Sequence, residues 1–149
     1  DAGKSMDELA DWAEANKLNM AHMVTVEDLM HLHRGGRISK ASAVMGGMLG
    51  IKPMIHMNNE GKLINIGKVR GRKASLEAIV DWMAKVVGNT HNDEFFICHS
   101  DAYDEAEYVA KLASKRFGIK DYLIHYIGPV IGSHTGPGTI SLFMMAEHR

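Results

Sequence analysis

The sequence predicts an α+β domain of two layers, a mixed and largely antiparallel sheet with helices mainly on one face. Three observations carry this reading. Segments of alternating apolar residues and segments of helical apolar spacing interleave along the whole chain. Residues 52–57 and 62–68 read as two strands joined by Asn58-Asn59-Glu60-Gly61, a turn whose Gly61 is free to take positive φ, and this hairpin requires an antiparallel pair. Leu76, Ile79, Val80, Met83, Val86 and Val87 form one face of a strong helix that Gly88-Asn89 ends. At 149 residues and 46% hydrophobic, the chain is the size of one domain and has enough apolar side chains for a real core.

The elements follow in order. Ser5-Met6-Asp7-Glu8 has the S-x-x-E form of a capping box, and Met6, Leu9, Ala10 and Ala13 give a helical face up to Asn16. Residues 19–26 alternate as a strand, with Met20, His22, Val24 and Val26 on one side. Residues 27–33 form a short helical turn. Ala41, Val44, Met45, Met48 and Leu49 then make one helical stripe, capped by Ser39 and ended by Gly50 and Pro53. Ala43, Gly46 and Gly47 leave part of that helix nearly bare, which suits close approach by another backbone or by a long thin ligand. Further along, 94–99 reads as a short buried strand, 104–116 as a helix and 121–127 as a strand. A glycine-rich loop, 128–138, precedes a final strand at 139–146.

Composition excludes several classes. A formal charge of -1 argues against a nucleic-acid or polybasic membrane role. The single cysteine, Cys98, cannot form an internal disulfide and points to a reducing, cytoplasmic compartment. No stretch approaches the ~20 apolar residues of a membrane span. The eleven methionines suit an adaptable apolar interior. The chain opens on Asp1-Ala2-Gly3-Lys4 without an initiator methionine, and so reads as a fragment of a longer protein.

Three places can carry chemistry. Arg34-Gly35-Gly36-Arg37 lies just before an expected helix start, where free backbone N–H groups favour an anion. Arg70-Gly71-Arg72-Lys73 opens a second helix and is an anion site by the same physics. Gly132-Ser133-His134-Thr135-Gly136-Pro137-Gly138 offers hydroxyls and an imidazole on a loop that permits close backbone approach. The shared target is a carboxylate or phosphate. The other histidines, His31 and His22 among them, have no metal-ligand spacing and read as structural. There is no phosphate-binding loop, because GGRISKAS lacks the Gly-Lys-Ser/Thr ending.

HLHRGGRIS, the helix after it, GIKPMI, the NEGKL turn, KVRGRK and the late IGSHTGPGT, in this order, resemble the DegV family of bacterial fatty-acid-binding proteins. The resemblance covers nearly the whole chain and is to the C-terminal domain of those proteins. It implies a DegV C-terminal-like fold, without the N-terminal domain that supplies further contacts to the lipid carboxylate. It also implies a long-chain fatty acid in an apolar tunnel, lined here by Val44, Met45, Gly46, Met48 and Leu49. The carboxylate would lie near His134 and Thr135 and would be presented to a separate fatty acid kinase, which makes the acyl phosphate. Arg34, Arg37, Arg70 and Arg72 match basic positions tied to kinase docking or to the developing phosphate. The kinase would supply ATP and metal, so no catalytic residue, metal site or cofactor is expected in this chain.

Two other classes stay open at the level of sequence. One is a domain of an enzyme acting on phosphorylated substrates, with His134 as acid or base and the arginines as phosphate clamps. The other is a structural or interaction domain whose apolar interior is only core.

Overall fold

The structure, a computed structural model, describes residues 3–39 and 50–149. Helix α1 spans Met6–Asn16 behind the expected capping box. The Glu8 backbone N–H donates to Ser5 Oγ (3.3 Å), and the Ser5 N–H donates to the Glu8 carboxylate (2.7 Å). Strand β1 (Met20–Thr25) and helix α2 (Leu29–Arg34) follow, the latter capped by Asp28, whose Oδ1 accepts from the Met30 N–H at 2.8 Å. Next come β2 (Ile51–Met57), β3 (Leu63–Arg70), α3 (Arg72–Val87), β4 (Glu94–Ser100), α4 (Tyr103–Phe117), β5 (Asp121–Tyr126), α5 (Pro129–Thr135) and β6 (Thr139–Met145). The expected helix over 41–49, with Val44, Met45, Gly46, Met48 and Leu49, lies outside the described residues.

Among the described residues, six strands form one sheet in the order β3-β2-β1-β6-β4-β5. Among the described residues only β4 and β5 run parallel, joined by α4 as a crossover, while the other neighbouring pairs are antiparallel. The sheet is therefore mixed and largely antiparallel, as the sequence predicts. Its hairpin turns at Gly61, with φ 73° and the N–H of Gly61 bonded to the Asn58 carbonyl at 2.9 Å.

Alternation along each strand divides the sheet's two faces. Ala21 and Met23 of β1, Phe95 and Ile97 of β4, and Ile140, Leu142 and Met144 of β6 all join one buried cluster. On that face α3 contributes Ile79 and Met83, and α4 contributes Val109, Ala110 and Ala113, all fully buried. The small residues of α4 let it lie close to β4. On the opposite face a smaller cluster of Val26, Leu29, Leu32 and Ile55 forms under α2. The two long helices thus cover one face, and the short α2 and α5 partly cover the other.

One element corrects the sequence reading. The stretch 128–138 is not a loop throughout, because Pro129–Thr135 is helical. Pro129 starts the helix where its missing N–H costs nothing, and bonds from Gly132 N–H to Gly128 O (2.9 Å) and from Gly136 N–H to Gly132 O (2.8 Å) continue it. Glycine and β-branched residues make this a poor helix by propensity, so tertiary contacts with α2 decide it.

Phe95 is fully buried and stacks on Tyr122 with ring centroids 5.2 Å apart. Phe95→Ala is expected to cost about 3–5 kcal/mol, read as a shift of the urea unfolding midpoint at unchanged slope.

Candidate functional site

Among the described residues, the sheet face under α2 and α5 is not fully filled. Between the strands and these two helices lies a cavity of about 480 Å³, within the roughly 300–1,000 Å³ typical of small-molecule sites. Its floor comes from the side chains that alternate away from the core: His22 and Val24 on β1, Ser141 and Phe143 on β6, and Cys98 on β4. Ile55 and Met57 of β2 extend the apolar wall, and Leu32, Val130, Ile131, His134 and Thr135 close it from the helices.

The two short helices hold one another through paired glycines and histidines. The N–H at His31 Nε2 donates to the Ser133 carbonyl at 2.8 Å, which assigns the proton to that nitrogen. Gly136, at φ 79°, lies under the His31 ring, and a Cβ there would come within 2.8 Å of His31 Cγ. Gly35 lies against His134 in turn, and a Cβ on it would come within 2.8 Å of His134 Nδ1. The diglycine also closes α2, with Gly35 N–H bonded to His31 O (3.0 Å) and Gly36 N–H to His33 O (2.9 Å). Behind α5, Thr139 Oγ1 donates toward the carbonyls of Thr135 (3.2 Å) and Gly136 (2.9 Å), which anchors the helix end to β6.

At this corner two polar atoms are left over. His134 Nδ1 and Thr135 Oγ1 are buried and have no hydrogen-bond partner among the described residues. An unmade bond of this kind costs about 1–3 kcal/mol, so such atoms mark either strain or a place for a ligand. Arg37, which donates from Nη1 to the Gly35 carbonyl at 2.9 Å, lines the same cavity. The structure therefore gathers His134, Thr135 and Arg37 around one cavity wall.

The other sequence candidates lie elsewhere. Arg34 is exposed on α2, 3.6 Å from the Asp28 carboxylate. Arg70 is exposed at the end of β3, its backbone paired with Ile51. Arg72 belongs to the sequence motif expected to face an anion, yet its side chain is only 18% exposed and is committed internally. Its Nε donates to Glu105 Oε1 at 3.0 Å, its Nη2 contacts Glu105 and the Gly138 carbonyl, and Glu27 lies 3.7 Å away. Lys52, nearly buried, adds a second cation on Glu27. Two carboxylates distant in sequence thus neutralise the second arginine of the KVRGRK motif. The five tunnel residues expected on 41–49 lie outside the described residues.

Two further histidines take definite places in the structure. His31 joins the helices, and nothing in its spacing announces this, since its partners lie about a hundred residues away. His22 lines the cavity, and the strand alternation that puts it on the face of Val24 was the available signal. Burial, and secondarily the Arg149 charge, lower the His22 pKa from 6.5 to about 4. His56 is lowered by the same two causes in the same order.

Two outcomes follow from this geometry. Gly136→Ala meets both the positive φ and the His31 ring, and is expected to cost about 1–3 kcal/mol in urea unfolding and to weaken the His31–Ser133 contact. For His22 the folded pKa lies below the unfolded one. Between pH 6.5 and about 4 the unfolded chain therefore binds a proton that the folded chain does not, and stability falls as pH falls through that window. The drop in urea midpoint between ~pH 7.5 and ~pH 4.5 should be smaller in His22→Gln than in the parent.

A family model described as "Uncharacterised protein, DegV family" matches residues 1–147. A DegV domain-containing protein of Clostridium perfringens is 45% identical to this chain, over 97% of this chain and 50% of its own length. Among solved structures, a fatty acid binding DegV family protein from Streptococcus agalactiae superposes with a TM-score of 0.81 at 32% identity, over 98% of this chain and 51% of that one. The Streptococcus pneumoniae Fatty Acid Kinase (Fak) B3 protein, loaded with linoleic acid, shares the fold with a TM-score of 0.84 at 18% identity, over 97% of this chain and 51% of that one. The chain spans about half the length of the relatives it matches. With a family match over residues 1–147, a relative 45% identical over 97% of this chain and a superposing solved structure at 32% identity, the chain belongs to the DegV family.

Proposed function

We propose that this chain binds a long-chain fatty acid in the cavity between the sheet and helices α2 and α5, with the carboxylate at His134, Thr135 and Arg37. The observation that carries this reading is the cavity itself: a largely apolar space with His134, Thr135 and Arg37 along one wall. An acyl chain would gain roughly 0.8 kcal/mol per methylene removed from water, less the entropy of binding. A carboxylate without donors would cost several kcal/mol, so the head group belongs where donors wait. Thr135 Oγ1, His134 and the Arg37 guanidinium are such groups. The fatty-acid-binding relative from Streptococcus agalactiae supports the ligand class.

The protein acts as a carrier, not as an enzyme. It presents the carboxylate to a separate fatty acid kinase, which forms the acyl phosphate with its own ATP and metal. Exposed Arg34 and Arg70, with Arg37 at the cavity, provide the positive charge for docking that partner or for steadying the transferred phosphoryl group. Because the kinase brings ATP, the encounter takes place in the cytoplasm. Among the described residues no helix is long and apolar enough to cross a membrane. The preceding domain of the full polypeptide closes over the exposed Tyr126, Val130 and Ile131 at the cavity mouth.

Mass spectrometry of the organic extract tests the ligand. The polypeptide purified from bacteria should carry near one fatty acid per chain, and its absence would sink the carrier reading. With a kinase supplied, His134→Ala should reduce acyl-phosphate formation at least about tenfold while weakening lipid binding less. An equal loss of both would remove His134 from the head-group role.

A further inference from the structure

The cavity floor carries polar groups that a plain alkyl chain has no use for. Register places Ser141 of β6 directly between Val24 of β1 and Cys98 of β4, and places His22 opposite Phe143. His22, Ser141 and Cys98 all line the cavity. On one face of an antiparallel pair, His22 and Ser141 are diagonal neighbours, roughly 7–8 Å apart. An aliphatic residue at either position would pack better against methylenes, and polar groups buried without partners are costly. His22 Nδ1 is buried and has no hydrogen-bond partner among the described residues. The His22 ring meets Phe143 edge-on at 5.2 Å, so it is held in place and does not swing free.

Position along the cavity matters as much as chemistry. Thr139 and Thr135 stand at the head-group corner. Ser141 lies two residues along β6 from Thr139, and the level of His22 and Phe143 lies four residues along. At about 3.4 Å per residue these levels are roughly 7 and 14 Å from that corner, partway along a long acyl chain. A neutral imidazole offers one donor and one acceptor, and a serine hydroxyl offers both, which matches an alcohol or a ketone.

We infer that His22, with Ser141 beside it, forms a subsite for an oxygen carried on the middle of the acyl chain, so that this cavity favours mid-chain hydroxy or oxo fatty acids over the plain acids. The inference rests on the carrier reading and narrows its ligand. A hydroxyl at this level meets the polar His22 and Ser141 side chains that line the floor, without disturbing the carboxylate end. Burial keeps the imidazole neutral near pH 7, which preserves its dual donor and acceptor character there.

The test is a set of lipid titrations on the full polypeptide that carries this chain, after delipidation. Octadecanoic acid is compared with its 3-, 10- and 18-hydroxy derivatives. The 10-hydroxy acid should bind about tenfold more tightly than octadecanoic acid, and the 3- and 18-hydroxy acids should show no such gain. His22→Leu should reverse the order, tightening octadecanoic acid and weakening the 10-hydroxy acid. Ser141→Ala should reduce the preference without reversing it. Equal binding of the plain and 10-hydroxy acids by the parent overturns the subsite while leaving the carrier reading intact, and needs no variant to fold. A preference that survives both substitutions overturns it as well. Failure of all four acids to bind overturns the carrier reading and the subsite together.

Discussion

The reciprocal packing of α2 on α5 is the contact on which the candidate site depends. Each helix presents a glycine to the other's histidine: Gly35 against His134 and Gly136 against His31. The bond from His31 to the Ser133 carbonyl adds direction to that close fit. Six residues of α2 and seven of α5 are too few to hold helical structure alone, so each supplies part of the other's stability. The same contact fixes where His134 and Thr135 sit, because both belong to the last turn of α5. Structure and binding chemistry are thus set by one interface.

The sheet beneath is used on both faces for different ends. One face, with Phe95, Ile97, Leu142 and Met144, is closed by long helices and carries the stability of the domain. The other exposes the alternate residues of the same strands to a cavity. A strand's side-chain period of two makes this division possible, since neighbouring residues on β1, β4 and β6 serve opposite faces. Ala21 and Met23 can pack rigidly while His22 and Val24 remain available to a ligand. The core does not need to loosen for the cavity to be occupied.

A third region ties these parts together by charge. Arg72 bridges Glu105 and the Gly138 carbonyl, with Glu27 close by, and Lys52 pairs with Glu27. Gly138 in turn donates its N–H to the Ser100 carbonyl at 2.7 Å. The segment between α5 and β6 is therefore held from α3, α4 and the end of β4 at once. Because Arg72 is largely buried, removing one carboxylate would strand a charge, which is why such clusters hold geometry even when their net stabilisation is small. An arginine that reads as a surface anion site serves instead as an internal brace.

Much of the fold was legible in the sequence because its signals are local. The Ser5–Glu8 capping box, the turn at Gly61, the stripe from Leu76 to Val87 and the alternation in β1 each depend on residues within a turn or two of one another. The mixed and largely antiparallel sheet followed from the hairpin and from the interleaving of elements, and the motif set from HLHRGGRIS to IGSHTGPGT indicated the family. Strand order, the helical state of Pro129–Thr135, the burial of Arg72 and the pairing of His31 with Gly136 were decided only by tertiary structure. The strand order rests on pairs as far apart as Met20 and Met145, and the other three on partners between about 30 and 105 positions away: Arg72 on Glu27 and Glu105, His31 on Ser133 and Gly136, and α5 on α2. Local propensity is worth a few tenths of a kcal/mol per residue, so where glycine and proline leave it weak, long-range packing chooses the conformation.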